Sequence, residues 1–536
     1  MIRFKDNDIN FYIKVFLWGF CFCCVVWSFM LFQFWWGNHD WDYLRDGIKL
    51  QDGFFEARYS QHLPTVLFLN GQILPFFSCF LSLGFLSLLG VLLAYYLHCP
   101  KDRVVYGLFI CFLATLPHTA ILFYYVFIMF PLFFWGCVGA GLLFLSVGPY
   151  RLWKFIGGIC GFIILLGSYP PVISLVLTVF IARHILYYIQ GKQSFKEIIF
   201  NGLFLLGQLL LAYTIYRGIF LYLGKIGALN TKMYNVVMRD VVDIFRQIVT
   251  EVVAPISVIP QIAKSTGAFY TILYCLLMGS GLGIIFYLAP NRFIAFLLVC
   301  GLFLASRIAF LLSASAYSAA FRVTWWGEIG LMLSFLAILL QVKKQWVRNL
   351  IYLGCVLFCI SFIKTDSEIQ KVQWLAFNGE NLFHKRVKER LFSYPQFDFK
   401  RHYITLNIGY PDFHRQFCYK NCQGFNNELL DSTVLPADFG KVIFTDETNN
   451  PVSNRLGYWG KQLYFVTEKS NLTLASYVSE NELSDMRYYL YKNSLSYPEE
   501  RAVYINHNLI VFNLEQLSFY KEREDILHQL GHFLGR

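Results

Sequence analysis

Long apolar runs recur through the first two thirds of this chain, and a run of about twenty apolar residues must sit in a bilayer or in the centre of a large fold. Eleven such runs stand near residues 11–36, 72–98, 104–117, 120–147, 154–168, 171–190, 198–223, 268–289, 293–313, 324–342 and 349–363. So many in 536 residues leave no polar shell able to cover them in water. Only 15% of the residues are charged, against about 25% in a typical soluble domain. An ordinary soluble enzyme is thereby excluded. The predicted fold class is an α-helical polytopic membrane protein of about eleven transmembrane helices, followed by a C-terminal soluble α+β domain.

The charges change character where the apolar runs end. Residues 1–364 hold 26 Lys and Arg against 13 Asp and Glu, whereas residues 365–536 hold 19 against 21. Excess positive charge beside apolar spans fits anionic lipid surfaces and the positive-inside rule, and nucleic acid is set aside as a partner. Arg3, Lys5 and Lys14 precede or open the first span, which lacks a small-residue cleavage site and reads as an anchor with a cytoplasmic N-terminus. With eleven spans, Lys101 and Arg103, Arg151 and Lys154, Arg183 with Lys192 and Lys196, Arg292, and Lys343, Lys344 and Arg348 all fall on that same side. The loops 37–64 and 224–267 and everything after Lys364 then face the opposite compartment.

Two domains are predicted, a membrane domain over 1–364 and a soluble one over 365–536. In the second, the runs Lys441 to Thr445, Leu463 to Val466 and Val503 to Leu514 read as strands, the last broken at the turn Asn506-His507-Asn508. Cys418 and Cys422 stand in this polar region and would close a short disulfide in an oxidising compartment. The other twelve cysteines lie in or beside apolar spans, as small buried hydrophobes do. Met233 to Val253 in the second long loop reads as an amphipathic helix, lying on the membrane surface or packing on another part of the protein.

Chemistry gathers on the outer side. Gly37-Asn38-His39-Asp40-Trp41-Asp42 places two carboxylates just beyond the first span, where lipid and tryptophan would raise a carboxylate's pKa toward that of a general base. A solvated loop of turn formers is the plainer reading. Arg58 and Arg322 stand where a lipid phosphate would sit, either binding it bidentately or snorkelling to the interface. Arg307 lies inside an apolar span at a depth similar to Glu328 in the next, so the two either pair or leave Arg307 for phosphate. Ser168-Tyr169-Pro170-Pro171 is a hairpin tip or a substrate-lining turn. His39, His62 and His118 lack metal-ligand spacing, and no phosphate loop, HExxH or GxSxG pattern occurs.

These features resemble the polytopic GT-C membrane glycosyltransferases, and among them the bacterial glucosyltransferases that modify O-antigen. The likeness covers about residues 1–364 and rests on the acidic pair Asp40 and Asp42, Arg58 in the same loop, the Ser168–Pro171 turn and Arg322 before a late span. It implies a multi-pass protein of the bacterial inner membrane with a periplasmic C-terminal domain. The implied donor is a sugar on a polyprenyl-phosphate carrier, glucose in the O-antigen-modifying members, and the implied acceptor is a lipopolysaccharide or other surface glycan. Asp40 or Asp42 would then be the base, and Arg58, Arg322, Arg307, Tyr169, His39 and Glu328 would line the donor site. No organic cofactor is implied, and a divalent cation is left open. Two other classes remain: a transporter or flippase of lipid-linked glycans, disfavoured by the lack of paired half-repeats, and a non-catalytic polysaccharide assembly protein.

Overall fold

The computed structural model describes residues 6–33, 43, 47–56, 58–116, 119–124, 126–147, 151–227, 268–312, 321–393, 395, 403–408, 472–473, 503–506 and 509–513. The described residues fall into two compact units, the first holding 6–33 and Gly47–Gln370 and the second Tyr43 and the residues from Lys371 onward.

Helices cover every apolar run. In chain order they are α1 Asp6–Val26, α2 Ser28–Phe32, α3 Leu63–Leu69, α4 Pro75–Tyr96, α5 Arg103–Thr115, α6 Thr119–Tyr124, α7 Val126–Leu145, α8 Leu152–Leu166 and α9 Val172–Ile189. They continue as α10 Phe195–Lys225, α11 Ala268–Leu288, α12 Arg292–Leu312, α13 Phe321–Leu339 and α14 Gln345–Ser393. Among the described residues, six helical stretches are long and apolar enough to cross a membrane: Ile9–Val26, Pro75–Tyr96, Val126–Leu145, Val172–Ile189, Phe195–Lys225 and Gln345–Lys371. The first unit is thus that of an α-helical, membrane-associated protein.

Local chemistry sets the helix ends. Asp102 accepts from the Val104 amide and caps α5, and Ser194 with Glu197 forms a capping box that starts α10. Pro171 sits at the N-cap of α9. The first apolar run breaks at Trp27, between α1 and α2, where the fully buried indole donates to the Ala114 carbonyl at 2.9 Å and stacks on Phe123 at 4.3 Å. One long side chain thereby ties the first span to the end of α5.

The apolar run predicted to end at 363 belongs to a helix that continues without interruption to Ser393. Loss of apolarity ends a membrane span but not a helix. Lys, Glu and Gln are good helix formers, and the first proline after Gln345 is Pro395.

Small residues let the helices approach. In lipid no hydrophobic force drives helix against helix, so close packing carries the association. At Gly136 a Cβ would fall 2.7 Å from the ring of Trp326, bringing α7 against α13. At Gly327 a Cβ would run into the carbonyl oxygen of Ser306, bringing α13 against α12.

In the second unit β1 Tyr403–Ile408, β2 Leu472–Thr473, β3 Val503–Asn506 and β4 Leu509–Asn513 form a sheet of order β2-β1-β4-β3. β1 runs parallel to both neighbours, and β3 pairs antiparallel with β4 from Val503↔Phe512 to Asn506↔Leu509. The paired ends leave His507 and Asn508 between them, the spacing of a two-residue hairpin. Lys441 to Thr445, Leu463 to Val466, the amphipathic segment Met233 to Val253, and Cys418 and Cys422 lie outside the described residues.

Gly327→Leu should lower the thermal midpoint of the detergent-solubilised protein, costing about 3 kcal/mol through overpacking against the Ser306 backbone. Gly141→Ala, at a helical glycine with open space around it, should leave the midpoint unchanged or raise it. Equal effects at the two sites would refute this packing account.

Candidate functional site

The residues Arg58 to His62, between a 3₁₀ helix over Leu50–Glu56 and α3, build the first half of the site. The Arg58 amide donates to the Gly53 carbonyl at 2.7 Å, and the Gln61 amide to Arg58 at 3.0 Å, which folds the stretch into a tight turn. It then docks on the end of α8. The Ser60 amide donates to Gly167 O at 2.8 Å, its hydroxyl to Ile164 O at 2.7 Å, and the Tyr59 hydroxyl to Ile163 O at 3.0 Å. The last carbonyls of a helix run short of intrahelical partners, and here the loop supplies donors to Ile164 O and Gly167 O and a second one to Ile163 O, which also accepts the Gly167 amide. Burial, with the nearby Tyr216 phenol, pushes the Tyr59 phenol up to about 12, so it remains a proton donor. From the other side the Trp135 indole donates to Gln61 O at 3.2 Å.

Docking this loop carries Arg58 to Tyr169. Its guanidinium carbon stands 5.9 Å from the centre of the Tyr169 ring while one nitrogen donates to Gln61 Oε1 at 3.3 Å. Tyr169 is buried in the turn between α8 and α9, where Ser168 donates its hydroxyl back to Leu165 O at 2.9 Å. Its ring meets that of Trp326 at 6.3 Å, and Trp326 lies edge-on to Trp325 at 4.7 Å. Trp325 donates to Thr119 Oγ1 at 3.0 Å. Arg58, Tyr169 and Trp326 therefore form a continuous row from the loop to α13.

One turn beyond the tryptophans, Glu328 pairs with Arg307 across the α12–α13 contact, with side-chain exposures of 9% and 3%. Two charges this deep are tolerated because each neutralises the other. Arg322 lies in the first turn of α13. The structure brings together Arg58 with Tyr169 and Arg307 with Glu328. His39, Asp40 and Asp42 lie outside the described residues.

Several residues here were not singled out from sequence. Ser60, Gln61, Trp135 and Trp326 contribute only through tertiary docking, although the Trp325-Trp326-Gly327 triplet, with its bulk beside a glycine, is a visible packing signal. Asp366 and Gln370 are more unexpected. Both are essentially fully buried on one face of α14, one turn apart, and both Asp366 carboxylate oxygens and Gln370 Oε1 lack a hydrogen-bond partner among the described residues. The sequence signal was a carboxylate two residues past Lys364, which reads as a chain leaving the membrane. Among the described residues no group of three or more His, Cys, Asp or Glu is arranged to hold a metal ion.

Breaking the buried pair from one side should be costly: Arg307→Leu or Glu328→Leu alone should destabilise by about 3–5 kcal/mol, and the double replacement should recover most of the loss. Thermal unfolding of the three variants checks this, and additive losses would show that the pairing is not what stabilises the site. No family model matches this chain, and neither a curated protein nor a solved structure matches it.

Proposed function

We propose that this protein is a polyprenyl-phosphate-sugar-dependent glycosyltransferase with a GT-C-like membrane domain. On this reading all eleven apolar runs span a bacterial inner membrane, the N-terminus is cytoplasmic, and the region after Lys364 is a periplasmic α+β domain that helps bind the acceptor glycan. The supporting observation is the docking of the Arg58–Gln61 turn onto the Tyr169 turn. These are two separate elements on which the family resemblance rests, and they meet through specific hydrogen bonds and a ring contact.

The reaction follows from the residue chemistry. Asp40 or Asp42 takes the proton of an acceptor hydroxyl, whose oxygen bonds to the anomeric carbon while the bond from that carbon to the carrier phosphate breaks. The lipid phosphate leaves with the electron pair. Arg58, held over an aromatic ring, and Arg322 in the first turn of α13 stabilise that phosphate. Arg307 is already neutralised by Glu328, so its role is to hold the α12–α13 wall against the tryptophan row.

The test is transfer of radiolabelled glucose from its polyprenyl phosphate to O-antigen by the purified protein in lipid. Asp40→Asn or Asp42→Asn should lower transfer by about 10²–10⁴-fold, and Arg58→Gln should lower it while leaving folding intact. A fully active Asp40→Asn/Asp42→Asn double variant, or a wild-type protein silent with every polyprenyl-phosphate sugar, would overturn the proposal.

A further inference from the structure

The end of the helical unit remote from Tyr169 gathers positive charge of a different kind. Arg183 on α9 is enclosed by aromatic rings: its guanidinium carbon lies 4.5 Å from the Tyr96 ring centre and 5.2 Å from that of Tyr187. One of its nitrogens reaches the Tyr187 hydroxyl at 3.5 Å, and its Nε is buried without a hydrogen-bond partner among the described residues. Rings attract the cation and hold it in place, but they do not neutralise it.

Lys192 is brought to the same corner by a pinned turn. Gly191 takes a left-handed backbone with φ 66°, Gln190 donates to Gln341 Oε1 at 2.6 Å, and His184 Nδ1 lies 2.7 Å from Gln193 Oε1. The Lys192 amide donates to Tyr187 O at 2.9 Å, and the side chain projects into solvent. His98, also in a left-handed conformation at φ 51°, packs its ring 5.3 Å from that of Tyr187. Partial burial, and then the charges of Arg183 and Lys192, hold the His98 imidazole down to about 4. Two cations therefore act on one small region. Among the described residues no carboxylate forms an ion pair with either; Asp102 in the same corner is paired with Arg348 at 3.8 Å.

From this arrangement we infer that Arg183 and Lys192 form a binding site for a phosphate oxyanion, presented by an anionic lipid headgroup or as free phosphate. The preorganised guanidinium supplies directed donors and Lys192 a mobile charge, the combination that suits phosphate. Basic residues clustered at the ends of apolar helices also attract anionic headgroups. This site lies at the opposite end of the helices from Tyr169 and does not depend on the transferase reading.

The test uses the full chain in nanodiscs of phosphatidylcholine with and without phosphatidylglycerol, reading retained lipid by native mass spectrometry after release into detergent. Lys192→Gln should lower retained phosphatidylglycerol severalfold, and Arg183→Gln/Lys192→Gln by about tenfold or more. Lys343→Gln/Lys344→Gln, removing the same charge from a neighbouring exposed loop, should leave retention unchanged. Competition by inorganic phosphate would assign the site to phosphate itself, and retention unaffected by phosphate would assign it to the headgroup. Loss of retention equal to that of the Lys343/Lys344 control, or no selective retention by the wild type, would overturn the site. The Lys192 single variant removes no packing contact, so misfolding at Arg183 does not obscure the result.

Discussion

Inside a bilayer a backbone amide or carbonyl has no water to turn to, and each must find its partner within the protein. The architecture of the first unit depends on that constraint. Apolar runs become helices because a helix satisfies its own backbone, and one stretch that leaves helical geometry, Arg58 to Gln61, is held by bonds to carbonyls at the end of α8. The same bonds deliver Arg58 to Tyr169. A requirement of solvation thus becomes a device for building a site, because the group that must be satisfied and the side chain that must be positioned lie within four residues of each other.

Packing in this environment divides between very small and very large residues. Glycines at 136 and 327 admit the Trp326 ring and the Ser306 backbone, and the tryptophans fill what the glycines leave open. The Arg307–Glu328 pair sits beside the closest approach, so its charges are withdrawn from lipid by the same contact that brings α12 and α13 together. At the other end Arg183 is stabilised by two tyrosine rings instead of a carboxylate. One arginine is neutralised and the other is held with its charge intact, and this difference in partner separates a structural role from one available to a ligand.

Much of this was legible from the chain. Every apolar run coincides with helix, and the interruption predicted at Asn506-His507-Asn508 falls where two antiparallel strands meet, with Asn506 itself closing β3 opposite Leu509. What escaped was the persistence of α14 beyond Lys364 and the burial of Asp366 and Gln370 upon it. Hydropathy reports where a helix should meet lipid, and it is blind to a polar helix covered by other parts of the protein. Arg58, Tyr169, Arg307 and Glu328 were visible as residues of interest because a cation or an aromatic break is conspicuous in an apolar background. Ser60, Gln61 and Trp135 were not, since nothing local distinguishes a docking serine from any other.

The sequence by itself determined the apolar runs, the helices they form, their capped ends and the asymmetric placement of Lys and Arg. These are consequences of local propensity and of the cost of burying charge, which act along a single segment. Only the tertiary structure decided that Arg58 faces Tyr169, that Arg307 is neutralised by Glu328, and that Arg183 is ringed by tyrosines with no acidic partner among the described residues. Those outcomes join residues about a hundred positions apart in one case and fewer than ninety in another, and they depend on which helices can approach closely, a property of side-chain shape across two elements that neither carries alone.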